Sequence, residues 1–202
     1  MRYYPGGAKA VEFVPKRKRN DGTIGLDPEF FQGALKDYSR WPIKWWREAI
    51  QNAVDARATV VECGVETYPD RVVVWCHDNG RGMDRETLIS KFLRLGASGK
   101  RGDADAKGGF GKAKEMLLLP WISWQVTTRD IRVDGHGISY RESAAPGNVG
   151  TRLEVVMPPD NCTSIALAQE FINRCSVPKV TFRLVERNHV YPQLSQVREV
   201  TA

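Results

Sequence analysis

Four short stretches hold residue types that could do chemistry together. Glu48, Asn52 and Asp55 are spaced i, i+4 and i+7, so on a helix a carboxylate, an amide and a second carboxylate share one face. Mid-helix asparagine competes for backbone bonds, which draws attention to this face, although a solvated polar face is the simpler reading of the helix alone. Asp78-Asn79-Gly80-Arg81-Gly82-Met83 follows a strand-like run, Val72 to His77. A carboxylate at a strand end followed by two glycines suits recognition by a side chain with close backbone approach; a plain Asn-Gly turn is the alternative. Gly96-Ala97-Ser98-Gly99-Lys100 and Lys107-Gly108-Gly109-Phe110-Gly111-Lys112 precede a predicted helix. Glycines there expose N–H groups at the positive helix end, which suits a phosphate, and two lysines add charge. Read by itself, the stretch is a flexible linker. Gly150-Thr151 opens an alternating strand and means little alone.

Several familiar patterns fail. Gly99-Lys100 has Arg94 where a Walker A loop needs its first glycine, and Arg101 where Ser or Thr should follow. G-x-G-x-x-G breaks at Lys114, and Lys114 also stands where a calcium loop needs its closing Glu. Cys63, Cys76, Cys162 and Cys175 contain no C-x-x-C pair and read as reduced, buried thiols.

The elements that must position these stretches follow from periodicity. Ile43 to Ala56 reads as a helix with Trp46, Ala49, Ile50, Ala53 and Val54 on its buried stripe and Pro42 at its start. Val60 to Glu66 and Arg71 to His77 read as strands joined at Tyr68-Pro69-Asp70. Asp84 is placed to cap a short helix over Thr87 to Leu95, and a helix runs from about Lys112 to before Pro120. Trp121 to Thr128, Ile131 to Val133, Ile138 to Arg141 and Thr151 to Met157 read as strands, with Asp134-Gly135 as a hairpin turn. Ser164 to Cys175 is an amphipathic helix with Ile165, Ala168, Phe171 and Ile172 on one face, and Val180 to Val185 reads as the last strand. The expected fold is α+β: a two-layer sandwich with a mixed, mostly antiparallel sheet and helices on one face. Residues 1–40 are expected to form an arm, 41–160 the main domain, and 161–202 a helix–strand extension packed on that domain.

In this order and spacing, the four stretches resemble the ATP-binding domain of the gyrase, Hsp90, histidine kinase and MutL (GHKL) superfamily, the Bergerat fold, over about residues 40–160. Glu48 to Ala56 resembles its E-x-x-x-N-x-x-D-A helix, Asp78 to Met83 its D-x-G-x-G adenine loop, Gly108 to Gly111 its glycine-rich lid and Gly150-Thr151 its G-T strand. Ser98-Gly99-Lys100 looks like the lid flank of MutL, and Arg47-Glu48-Ala49-Ile50 is closer to the Hsp90 version. The resemblance implies ATP and Mg²⁺ as ligands. It implies that Asp78 accepts from the adenine amino group, that Gly82 lets the ring lie against the backbone, and that Asp55, Met83 and Thr151 support the adenine site. It implies Asn52 as the magnesium ligand, Glu48 as general base, and Ser98, Lys100, Gly108, Gly109, Phe110, Gly111 and Lys112 around the phosphates. About 42 residues follow Asp160, too few for the domain that in these relatives sends a cation to the γ-phosphate. Slow hydrolysis is therefore expected, with a non-hydrolysing ATP-responsive module as the alternative.

The chain has 202 residues and a net charge of +6. That length can bury a core without staples, and the charge permits a polyanionic ligand without demanding one. No run of 18 apolar residues argues for a membrane span, and Met1-Arg2-Tyr3-Tyr4-Pro5 has no apolar leader, so a cytoplasmic protein is expected. Lys16-Arg17-Lys18-Arg19 reads as a solvated loop, with nucleic-acid contact as the alternative. Trp41, Trp45 and Trp46 could stack on bases but read as core or interface. A histidine-kinase activity fits poorly, since none of His77, His136 and His189 lies on a helical hairpin. A nucleotide-dependent homodimer or a protein partner is compatible with the resemblance.

Overall fold

The computed structural model describes residue 31 and residues 39–94, 113–175 and 179–201. Its elements are α1 (Trp41–Asp55), β1 (Val60–Thr67), β2 (Val72–Asp78), α2 (Arg85–Thr87, continued by a π turn over Leu88–Phe92), α3 (Ala113–Leu117), β3 (Ser123–His136), β4 (Ser139–Met157), α4 (Ile165–Arg174), β5 (Thr181–Asn188) and β6 (Gln196–Thr201). The strands form one sheet in the order β3-β4-β2-β1-β5-β6. Among the described strands only the β1–β5 pair is parallel. With the helices on one face, this is the two-layer α+β sandwich expected from the sequence.

α1 buries Trp45, Trp46, Ala49, Ile50 and Ala53, so Trp45 joins the predicted stripe while Val54 stays half-buried. A buried indole must place its N–H. Trp45 Nε1 donates to the Leu117 carbonyl at 3.2 Å and Trp46 Nε1 to the Ser164 carbonyl at 3.0 Å. These bonds tie α1 to α3 and to the start of α4, and the two rings meet edge to face at 4.8 Å. Trp45 and Trp46 are therefore closed to bases, and Trp41 packs on Trp121 at 5.0 Å.

The sheet's inner face is built in cross-strand rows. Val65, Val74, Val155 and Trp124 form one, and Cys63, Cys76, Leu153 and Val126 the next. The row nearest the end of β2 changes character: Val61, Asp78, Thr151 and Thr128. Among the described residues no helix covers the outer face, which is correspondingly polar. Arg183 pairs with Glu62 at 3.1 Å, Arg187 with Glu66 at 3.2 Å and Arg152 with Glu154 at 2.7 Å.

The structure corrects several sequence expectations. The four short segments between Trp121 and Met157 are two long strands, with pairing irregularities at Thr128, Arg129 and Ile131. Asp134-Gly135 is not the hairpin turn; both residues lie inside β3, opposite Arg141 and Tyr140, and the turn is Gly137-Ile138. Gly135 is a glycine for a packing reason, because a side chain there would enter the Trp124 ring. Trp124 Nε1 donates to the Gly137 carbonyl at 2.9 Å, so the far end of the hairpin curls back beside β3. The predicted helix after Asp84 is one α turn and one π turn, ending at Phe92. Val180 to Val185 is not the last strand: β6 follows, with five of its six residues exposed, so burial left no periodic signal.

Candidate functional site

Asp78 ends β2 with its side chain on the inner face, only 7% exposed. One oxygen accepts from the Gly80 N–H at 2.7 Å, and the Thr151 N–H also donates to the carboxylate. Burial raises its pKa above the usual aspartate range, and the two N–H groups and His77 act against that rise. The carboxylate is thus aimed by backbone and only partly satisfied by it.

Glycines let the surrounding loops close around it. Gly82 and Gly150 both have positive φ, at 64° and 75°. A side chain on Gly150 would strike the Asp78 carbonyl, and one on Gly82 would lie 2.9 Å from Thr128 Oγ1. Gly80 packs against the end of α1, where Arg81 N–H donates to the Ala56 carbonyl at 3.0 Å. Asn79 turns away from the site: its Oδ1 accepts from the N–H groups of Thr59 and Val60 at 2.8 and 2.9 Å. It fastens the end of β2 to the start of β1.

A cavity of about 210 Å³ lies between α1, the Asp78 loop and α2. Asn52, Asp55, Asp78, Gly82, Met83 and Thr151 from the sequence-derived set line it. Ala49, Ala56, Cys76, Arg81, Thr87, Phe92 and Leu153 complete the wall. Glu48 is not part of this wall. It lies one turn earlier on α1, half-buried, 3.9 Å from Arg47 Nε, and its pKa is raised by burial against the pull of Arg47. Ser98, Lys100, Gly108, Gly109, Phe110, Gly111 and Lys112 lie outside the described residues, as does the basic run 16–19.

Sequence reasoning missed Thr128. It is fully buried and joins three parts of the site. Its hydroxyl receives the Met83 N–H at 2.8 Å, donates to the Gly150 carbonyl at 3.0 Å and meets Thr151 Oγ1 at 3.3 Å. A lone threonine has no spacing signature; only the pairing of Thr128 with Thr151 reveals it. Its neighbour Arg129, at φ 51°, donates from NH2 to the Arg81 carbonyl at 3.2 Å. The β3–β4 hairpin therefore holds the Asp78 loop from behind.

Residues 46–135 match a family described as histidine kinase-, DNA gyrase B-, and HSP90-like ATPase. Over these residues, somewhat less than half of the chain, the sequence is similar to GHKL-superfamily ATPases. The match takes in α1 from Trp46 onward, the Asp78 loop and most of β3. Among solved structures, the chain is similar to the N-terminal domain of a DNA repair protein, with 19% identity and a TM-score of 0.49, covering 76% of this chain and 50% of that one. It is also similar to the Aquifex aeolicus MutL ATPase domain complexed with ADP, with 16% identity and a TM-score of 0.48, covering 79% of this chain and 63% of that one. The chain thus spans between half and two thirds of the length of these two structures. No curated protein matches the sequence.

Proposed function

We propose that the cavity receives the adenine of ATP and that the chain hydrolyses the nucleotide slowly. What chiefly supports this reading is the buried, backbone-aimed carboxylate of Asp78 at the wall of a largely apolar cavity inside a GHKL-like domain. At about 210 Å³, the cavity is smaller than the roughly 300–1,000 Å³ of pockets that hold drug-sized ligands. That size suits a base, with the sugar and phosphates leading outward.

In this reading Asp78 accepts the adenine amino group. A guanine carbonyl at that position would face the carboxylate with no proton to share, so adenine is selected. Gly82 and Met83 form one side of the ring's slot, and Thr151, Asp55 and Leu153 the other sides. Asn52 supplies a neutral oxygen at the mouth. The donor chemistry suits magnesium, since Asn52 offers a neutral hard oxygen and Mg²⁺ usually keeps water and phosphate oxygens with one or two protein ligands. Bound there, the ion would neutralise phosphate charge. Lys100, Lys112 and the N–H groups of Gly108, Gly109 and Gly111 would surround the phosphates, with Ser98 and Phe110 flanking them. Glu48 lies one helical turn from Asn52 and would take the proton from the attacking water.

Isothermal calorimetry with ATP and GTP, alongside phosphate release with Mg²⁺, tests both halves. Tighter binding of ATP than GTP, with phosphate release lost in Glu48→Gln, is expected. Equal affinity for the two nucleotides would remove the reading of Asp78. The second reading is an ATP-responsive module without turnover. Binding without phosphate release would select it. Dimerisation, protein or nucleic-acid partners and a cytoplasmic location belong to the same proposal. The described residues contain no helix long and apolar enough to cross a membrane.

A further inference from the structure

Cys63 and Cys76 face each other across β1 and β2 on the inner face, one row below Asp78. Two backbone bonds reveal which kind of pair they form. Asn79 N–H donates to the Val60 carbonyl, and Tyr68 N–H to the Arg71 carbonyl. In an antiparallel ladder, hydrogen-bonded pairs alternate with non-bonded ones. Stepping by two from either end passes through Glu62/His77, Gly64/Trp75 and Glu66/Val73. Cys63/Cys76 therefore falls at a non-bonded position, where Cα atoms approach to about 4.5 Å. That is the short end of the roughly 4.4–6.8 Å range that a disulfide spans. The neighbouring Cys63 thiol is the largest influence on the Cys76 thiol. They differ in access: Cys76 lines the cavity, whereas Cys63 is fully buried and does not.

We propose that Cys63 and Cys76 are an oxidisable dithiol, a cross-strand disulfide site that small oxidants reach through the cavity. A peroxide is the oxidant class that fits so narrow an approach. The Cys76 thiolate attacks one peroxide oxygen and the O–O bond breaks, giving a sulfenic acid; the hydroxide released takes the thiol's proton and leaves as water. The Cys63 thiolate then attacks the Cys76 sulfur, the S–O bond breaks, and a second water leaves. Two thiols lose two electrons and one hydrogen peroxide becomes two waters. Thiol–disulfide exchange with a small thiol reverses the step. The Cys63 thiol beside it and burial hold the Cys76 thiol well above its usual range. The reaction is accordingly slow at neutral pH and accelerates as pH rises.

The bond itself stands apart from the nucleotide reading; its protection by nucleotide rests on that reading. The test uses the full chain with the half-buried thiols removed, Cys162→Ser with Cys175→Ser. It is treated with hydrogen peroxide, with and without ADP, and mapped by mass spectrometry without reduction. A Cys63–Cys76 linked peptide is expected, formed at least about tenfold more slowly with ADP. In single-thiol variants of this chain, Cys76 left by Cys63→Ser should react with methyl methanethiosulfonate at least about tenfold faster than Cys63 left by Cys76→Ser. Two reduced thiols after peroxide, or equal labelling of the two cysteines, would overturn the proposal, the latter by showing access through general unfolding. Calorimetry of ADP on the same sample separates the remaining outcomes. ADP that binds without slowing the bond overturns the cavity route. ADP that does not bind, beside a linked peptide, leaves the dithiol supported and removes the nucleotide reading.

Discussion

A buried carboxylate opposes the fold that buries it, and Asp78 does so at the wall of the candidate cavity. Its pKa is raised in the folded chain, chiefly by burial. The stability linked to it is full below the unfolded value, about 3.9, and is lost as pH rises through the higher folded value. Asp78→Asn keeps an oxygen for the Gly80 N–H and removes the charge. The variant should melt at a higher temperature than wild type at pH 7, with the difference closing as pH falls below the ordinary aspartate range. Calorimetry of the same variant should show ATP affinity reduced about 10- to 100-fold, the size of one lost charge-assisted hydrogen bond. Glu48 titrates in the same direction, raised by burial, but its effect is on rate. A general base must be ionised, so phosphate release should increase with pH through a value above the usual glutamate range. Glu48→Gln should flatten that profile and lower the rate about 100-fold or more, while ATP affinity measured by calorimetry changes little. These carboxylates were legible in the sequence because their spacing survives without structure. Thr128 was not, since its role arises from a neighbour 23 positions away.

At the scale of elements, one buried hydroxyl joins the Asp78 loop to the G-T strand. Thr128→Val leaves the Met83 N–H without its acceptor and the Gly150 carbonyl without its donor. A loss of about 1–3 kcal/mol in urea unfolding is expected for such orphaned groups, accompanied by weaker ATP binding as the loop loosens. The helix bearing Glu48, Asn52 and Asp55 and the strand before Asp78 were readable because each alternates or repeats against a single buried face. The β3–β4 hairpin was misplaced for a physical reason. Asp134-Gly135 has the chemistry of a turn, but Gly135 is there to admit the Trp124 ring, and the chain reverses two residues later. β6 escaped because an exposed edge strand has no buried stripe to announce it. Phe92, the last residue of the π turn at Leu88–Phe92, lines the cavity wall.

Across the whole molecule, the residues beyond the family match complete the layer that holds α1 in place. Ser164 accepts from Trp46, α4 adds Ile165, Ala168 and Ile172 to the core, and β5 lies beside β1 in the middle of the sheet. A chain ended at Asp160 should therefore fail to fold, read as loss of the near-ultraviolet tryptophan signal, whereas the intact chain should unfold in one transition. The polar row of Asp78, Thr151 and Thr128 has a last consequence. All three residues face the helices only because three strands agree on which way their even and odd positions point. Deleting one residue from the Tyr68-Pro69-Asp70 bend would turn β2 over, presenting Asp78 to solvent among the arginines and glutamates and driving His77 toward the helices. Evolution can exchange side chains around this pocket one at a time, but it can lengthen or shorten the chain there only in steps that preserve parity.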